Sequence, residues 1–257
     1  MKISAILIAR NEAGNIGACL DSIAWVDEII VVEQGSEDDT ARIAAKHGAR
    51  VIQVMDWHGF GPQKNRGLDA ATGDWVLSID ADERMPIELA QEIRQAIGNE
   101  DANRQAAVLE LPRITQFCGE WIRHCGWTPD HVLRVFRRGA ARFSDDLVHE
   151  RLVFDKLTRV KRLNSPLEHY SYPTPDFYWR KLQRYSHDWA MQRYAKGQTV
   201  SMLRAASSGL AAFVRSYLFQ MGFLDGAMGF AVCAMQAQAA FGKYFELYCL
   251  GRMNEKS

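Results

Sequence analysis

The stretch GDWVLSIDADER, residues 73–84, runs apolar from Trp75 to Ile79 and then meets Asp80, Asp82 and Glu83. A short apolar run of this kind is the mark of a buried strand. Carboxylates crowded at its end repel one another and are seldom buried without a counter-charge. The segment therefore reads as a strand that carries its acids to a place where positive charge gathers.

Working upstream, the same strand-then-polar pattern recurs. ISAILIA (3–9) reads as a buried parallel strand, and EIIVVE (28–33) and RVIQV (50–54) as two further strands. Between them lie helical segments. NEAGNIGACLDSIA places Ile16, Cys19, Leu20 and Ile23 at helical spacing, and SEDDTARIAAKHG offers Ser36 as an N-cap and Gly48 as a stop. PQKNRGLDAATG opens on Pro62 and closes on Gly73, and PIELAQEIRQAIG (86–98) is again proline-first and glycine-last. Alternating strands and helices joined by short crossovers predict an α/β fold with a mostly parallel sheet flanked by helices. In such sheets ligands collect at the carboxyl ends of the strands. Asn11 and Glu12, Glu33 and Gln34, Asp56, and Asp80 and Asp82 all fall just past strand ends, so four strands supply polar groups to one rim.

The chain has 257 residues, room for one large domain or a domain with an extension. Basic and acidic residues balance at 31 each, which gives non-specific nucleic-acid binding no support, and no nucleic-acid partner is expected. The charges are not evenly spread, however: from His131 to Ser165 there are nine Lys/Arg against four Asp/Glu. Five scattered cysteines argue against a disulfide framework and for a reducing compartment. The spacing of Cys118, His124 and Cys125 fits no common zinc site. The N-terminal apolar run is too short for a signal peptide, and no clean span of about 20 apolar residues is present.

Two carboxylates one residue apart at a strand end suit a hard divalent cation. Mg²⁺ or Mn²⁺ takes oxygen ligands and completes its shell with substrate phosphates. Asp80 and Asp82, with Ala81 between them, are the candidate residues, and Lys64 on the preceding helix is placed to add a positive contact. The same Asp-x-Asp opens the site of haloacid-dehalogenase-type phosphatases. There it follows the first strand, with Thr or Val two residues past the second Asp; here it follows the fourth and Glu83-Arg84-Met85 comes next.

The order ILIARNEAGNIGACLDSI, DEIIVVEQGSEDDT, GARVI and GFGPQKNRGLDAATGDWVLSIDADE resembles glycosyltransferase family 2, whose fold is GT-A. LRVFRRG, LVHERL, LEHYSYP and FLDGAMGF resemble a narrower branch, the bacterial lipopolysaccharide inner-core β-glucosyltransferases. The resemblance implies an inverting transferase that moves a sugar, glucose by the branch, from a UDP-sugar to a hydroxyl. It implies that Ala9, Arg10, Asn11 and Glu12 line the nucleotide pocket and that Lys64 stands near the nucleotide. It places metal and diphosphate at Asp80 and Asp82, with Asp82 the direct ligand. The family's Val-Val-Asp-Ser-Gly-Ser is replaced by Val31-Val32-Glu33-Gln34-Gly35-Ser36, so Glu33 takes the place of the base-contacting Asp with one more methylene of reach.

Inversion by direct displacement needs a general base for the acceptor hydroxyl. Asp130, Asp145, Asp146 and Glu150 are the candidates in the acceptor half. Glu150 is preferred because it belongs to the His-Glu pair shared with the narrower branch, and Asp146 stands second. The competing reading makes Glu150 a salt-bridge partner of Arg151 or Arg134. His169 in LEHYSY is either a late metal ligand, favouring Mn²⁺, or a hydrogen-bonded structural histidine; His149 has the same ambiguity.

From Pro175 onward the pattern is helical, with Leu210, Phe213, Val214, Tyr217, Leu218 and Met221 on one face. The expected organisation is a GT-A domain over 1–172 and a helical extension over 173–257. The extension is open to three readings: packing on the catalytic domain, peripheral docking on the inner face of the inner membrane from the cytoplasmic side, or an oligomer contact. A lipopolysaccharide core or another lipid-linked glycan is the expected acceptor. A different family 2 acceptor and a non-catalytic nucleotide-sugar-binding scaffold remain open alternatives.

Overall fold

The computed structural model describes residues 1–98, 106–145 and 150–254. The chain forms two compact units, Met1–Arg113 with Asp130–Tyr170, and Ile114–Pro129 with Ser171–Ser257.

The first unit begins with the expected alternation: β1 (Ile3–Ala9), α1 (Ile16–Ser22), β2 (Glu28–Glu33), α2 (Thr40–Lys46), β3 (Arg50–Gln53), α3 (Phe60–Ala70) and β4 (Trp75–Ser78). Both faces of β1, β2 and β4 are covered, which is why they read as nearly continuous apolar runs, whereas β3, at the end of the sheet order, has no fully buried residue. On β1, Ile3, Ala5, Leu7 and Ala9 join a core with Ile16, Cys19, Leu20 and Ile23 of α1, while Ile6 packs the opposite way with Leu68 of α3. The next elements are β5 (Glu83–Arg84), α4 (Ile87–Gly98) and β6 (Val108–Phe117), then β7 (Glu120–Ile122) and β8 (Asp130–Arg137). β9 (Ala141–Phe143), β10 (Leu152–Phe154), β11 (Val160–Arg162) and β12 (Leu167–Tyr172) follow.

The main sheet has the order β3-β2-β1-β4-β8-β6-β12-β5. β1 pairs in parallel with β2 and β4, and β2 with β3. Beyond β4 the direction alternates, since β8 is antiparallel to both β4 and β6. The architecture is thus α/β, with the parallel half fixing a rim at the carboxyl ends of β1, β2 and β4.

α2 starts at Thr40 and not at Ser36, and Asp39 caps it without a side-chain bond. Ser36 is occupied elsewhere, its hydroxyl accepting from the Asn11 amide at 3.0 Å. α3 starts two residues before Pro62, at Phe60.

The second unit holds α5 (Pro175–Ala195), α6 (Met202–Val214) and α7 (Gly226–Asn254). Thr174 caps α5 by accepting from the Phe177 amide, and Ser201 caps α6 by accepting from the Arg204 amide. A π turn (Arg215–Phe219) and a 3₁₀ turn (Gly222–Asp225) join α6 to α7. Its core is Phe117, Ile122, Cys125, Tyr178, Val232, Cys233 and Met235. Among the described residues no single helix is long and apolar enough to cross a membrane.

Candidate active site at the sheet rim

The loops after β1 and β2 are tied together at the rim. Asn11, with φ +55°, gives its amide to Ser36 Oγ and takes the Glu37 amide on its Oδ1 at 2.9 Å. The Glu12 amide donates to Thr40 Oγ1 at 2.8 Å and that of Ala13 to Asp38 Oδ2 at 3.1 Å. Ala9 is buried and its carbonyl accepts from the Gln34 amide at 3.0 Å, whereas Arg10 is exposed. The buried Glu33 carboxylate turns back on its own loop and accepts from the Ser36 amide at 2.5 Å. Gly35 makes that loop with φ +55°, a conformation that costs a residue with a Cβ about 1 kcal/mol or more.

The carboxylates after β4 have separate surroundings. Asp80 faces two cations: its Oδ1 lies 3.3 Å from Lys64 Nζ, and its Oδ2 accepts from Arg134. Burial opposes its ionisation, but the Arg134 and Lys64 charges overcome that and hold the carboxyl well below its ordinary value. Arg134 is also paired with the fully buried Glu83 at 2.5 Å, and Glu83 takes a second guanidinium from Arg113 at 3.1 Å. The other Glu83 oxygen accepts from the Asp80 amide at 3.0 Å, so the turn Asp80–Glu83 is locked by its own last carboxylate. Ala81 is buried within that turn, 4% exposed.

Asp82 instead meets His169: Oδ2 and Nε2 are 3.2 Å apart. Two features of β12 bring them together. His169 is in register with Glu83 across the antiparallel β5–β12 pair, and the Tyr170 amide donates to the Asp82 carbonyl at 2.8 Å. Glu12 belongs to the same neighbourhood. Burial raises its carboxyl above the ordinary value against a hydrogen bond from Asn15, and the Asp82 and Asp38 charges raise it further.

Glu150 is brought to the other side of Lys64, its Oε1 2.8 Å from Nζ. Lys64 therefore sits between two carboxylates 70 residues apart in sequence, with Nζ also 5.6 Å above the Phe143 ring. The ion-pair partner of Glu150 is this lysine and not Arg151 or Arg134. Lys64, Asp80, Arg134 and Glu150 line a cavity of about 980 Å³ together with Arg113, His131, Phe143 and Arg151. Arg134 Nε is buried there without a hydrogen-bond partner among the described residues. Asp130 is occupied by Arg113, whose Nε and a terminal nitrogen donate at 2.9 and 2.6 Å. Asp146 and His149 lie outside the described residues.

Arg134, Arg113 and Glu83 were not singled out from sequence as site residues. Part of the signal was present: Arg134 is a cation among the apolar residues of VLRVF, and Arg113 stands in the mixed segment LELPRITQF; a buried cation there requires an acid partner.

A divalent cation fits the donor set on show. Among the described residues no three His, Cys, Asp or Glu side chains converge as a complete cage. The Asp82 and His169 pair offers one carboxylate and one imidazole. That is sufficient for a cation that takes its remaining ligands from a diphosphate and water.

Comparison with known proteins gives the family. The family model described as "Glycosyl transferase family 2" matches residues 4–162. An uncharacterized glycosyltransferase of Rickettsia typhi is 28% identical over 264 residues, covering 100% of this chain and 89% of that protein. The lipopolysaccharide core biosynthesis glycosyltransferase LpsC of Rhizobium meliloti is 27% identical over 258 residues, 96% of this chain and 92% of LpsC. Among solved structures, glucosyl-3-phosphoglycerate synthase from Mycobacterium tuberculosis, in complex with Mn²⁺, UDP and glucosyl-3-phosphoglycerate, aligns over 67% of this chain and 73% of its own. The TM-score is 0.48 and the identity 23%. The family match spans well over half of the chain and takes in nearly all of the unit that carries the rim, whose α/β architecture is the GT-A one: the chain belongs to glycosyltransferase family 2.

Proposed function

We propose that this protein is a metal-dependent inverting glycosyltransferase that moves a hexose, glucose in the leading reading, from a UDP-sugar to a hydroxyl of a lipopolysaccharide core acceptor. The observation that carries the reading is the division of labour on the rim. Asp82 and His169 form a donor pair, while Lys64 links Asp80 to Glu150 on the wall of one cavity. The acceptor assignment is supported by likeness to LpsC along nearly the whole length of both chains.

Asp82 and His169 would hold Mn²⁺ or Mg²⁺, the imidazole favouring Mn²⁺. When bound, the cation acts as a Lewis acid on the leaving diphosphate. Asn11, Glu12 and Glu33 shape the nucleotide side of the rim, with Ala9 as its floor and Arg10 at its open edge. Glu150 takes the proton of the acceptor hydroxyl as that oxygen attacks the anomeric carbon from the face opposite the diphosphate. Lys64, 2.8 Å away, orients Glu150 and links the acceptor side to Asp80. Arg134 is kept charged by Asp80 and Glu83 and has a buried Nε–H to offer an oxygen in the cavity. Asp146 is the second candidate base.

The test is a titration of UDP with and without Mn²⁺, followed by transfer from radiolabelled UDP-glucose to truncated lipopolysaccharide core. Mn²⁺ is expected to tighten UDP binding in the wild type and not in Asp82→Asn or His169→Ala. Glu150→Gln is expected to keep UDP affinity and to lose 10²–10⁴-fold in kcat, the usual worth of general-base catalysis. Metal-enhanced UDP binding that survives Asp82→Asn would sink the metal assignment, and undiminished turnover in Glu150→Gln would move the base to Asp146.

A further inference from the structure

The helical unit contains a feature that sugar transfer does not use. Between Arg215 and Lys243 the only charged residue is Asp225. That acid is turned inward: its side chain is 7% exposed, it accepts the amides of Arg123 and His124 at 3.1 and 2.8 Å, and His124 Nδ1 lies 2.7 Å away. The turn joining α6 to α7 does the reverse with its apolar side chains. Leu218, Phe219, Met221, Phe223 and Leu224 are 55, 78, 48, 47 and 57% exposed. Five large apolar side chains in seven consecutive residues form one patch, larger than single exposed hydrophobics scattered over a soluble surface. Met221 adopts φ +53°, a conformation that a β-carbon disfavours, and so holds the two apolar segments in a tight turn.

Charge identifies the occupant. Arg215 is exposed in the turn, and Arg123, also exposed, stands on the segment whose amides hold Asp225. The tip therefore shows cations and apolar groups together, with its one acid withdrawn. The unit as a whole has eleven Lys/Arg against six Asp/Glu. Apolar side chains bordered by cations match the headgroup–acyl boundary of an anionic bilayer. Depth follows from length. From Arg204 near the start of α6 to Phe219 at the end of the π turn that follows it is about 22 Å at 1.5 Å per residue, short of the ~30 Å hydrocarbon core. Arg215 would have to be dragged through it, and α6 and α7 meet at a bend of 73°. Spanning is disfavoured and shallow insertion is not.

We propose that the α6–α7 turn is a shallow membrane anchor, inserting Leu218, Phe219, Met221, Phe223 and Leu224 beneath the headgroups of an anionic bilayer with Arg123 and Arg215 on the lipid phosphates. The inference does not rest on the donor chemistry, because it is read without any sugar nucleotide.

The experiment is flotation of the full chain with phosphatidylcholine vesicles, alone or with about 30% phosphatidylglycerol, at low and high salt. The wild type is expected to float with the anionic vesicles, less at high salt, and weakly with phosphatidylcholine alone. Phe219→Asp with Leu224→Asp is expected to lower the partition coefficient at least tenfold while leaving UDP binding unchanged. Arg123→Gln with Arg215→Gln is expected to lose roughly thirty-fold, at about 1 kcal/mol per cation, on the anionic vesicles only. Circular dichroism confirms folding, and Phe219→Gln with Leu224→Gln replaces the aspartates if those fail to fold. The proposal is overturned by a wild type that does not float, or by tip variants that float like the wild type. It is overturned equally if the tip variants convert a dimer to monomer on light scattering without changing flotation, which would give the patch to a second copy.

Discussion

Asp80 has a cation on each oxygen, Lys64 and Arg134, whereas Asp82, two positions on, has an imidazole. Residue identity alone does not separate them; the neighbours supplied by β8 and β12 do. The heart of the difference is Arg134, whose side chain is 9% exposed and which serves Asp80 and the fully buried Glu83 at once. Replacing it with Met fills much of the volume but leaves Glu83 with only Arg113, at 3.1 Å and partly engaged by Asp130. Breaking a buried pair from one side costs about 3–5 kcal/mol, because the remaining charge stays desolvated. Arg134→Met is therefore expected to lower the unfolding free energy by that amount, read from guanidinium unfolding. Exchanging Arg134 and Glu83 together for apolar residues is expected to recover a large part of the loss. A single variant as stable as the wild type would show that Glu83 is not a buried anion.

At the level of elements, α3 is the platform on which the catalytic half of the rim rests. Its Gly61 abuts the Ser144 carbonyl so closely that an added Cβ would overlap the oxygen, and Glu150 Cβ would lie 3.5 Å from it. Gly61→Ala is expected to push the segment leading to Glu150 off α3, with kcat falling at least tenfold and UDP affinity little changed. A normal kcat would mean that Glu150 is not set by this contact. The turn from α3 into β4 is fastened from β2: Glu28 accepts from Ser4 Oγ at 2.5 Å, from the Thr72 amide at 2.9 Å and from Thr72 Oγ1 at 3.0 Å. Slight burial opposes the charge, but these donors lower the Glu28 carboxyl below its ordinary value. A depressed folded value means that the stabilisation is complete above the unfolded one, about pH 4.3, and is lost as pH falls further. Glu28→Gln is thus expected to be less stable than the wild type near neutrality, with the difference shrinking in acid; a pH-independent difference would exclude the linkage. β1, β2 and β4 were legible because burial on both faces writes an unbroken apolar run. β6 and β8 were not, since Arg113 and Arg134 interrupt theirs, and α2 was read too early because Ser36 looks like a cap until Asn11 takes it.

Over the whole molecule, what the sequence withheld is long-range partnership. Lys64 with Glu150, and Asp82 with His169, are joined across more than 80 residues by strand order, which no local pattern encodes. Motif resemblance marked those positions, but only the β5–β12 register and the packing of α3 say which meets which. The five cysteines test that packing in both units at once. Cys19 is buried under the rim and Cys125 in the core of the helical unit, and burial pushes both thiols well above their ordinary value. Cys233 is buried beside Cys125, while Cys118 and Cys249 are partly exposed and all five are free thiols. The thiolate is the reactive form, so burial silences a cysteine twice, by excluding reagent and by suppressing ionisation. Native protein treated with a thiol-reactive disulfide reagent is therefore expected to release no more than two equivalents quickly, from Cys249 and, more slowly, Cys118, whose thiol burial also raises. All five should react in denaturant. Fast reaction of a third thiol, traced by peptide mapping to Cys19 or to Cys125 and Cys233, would show which of the two cores is open in solution.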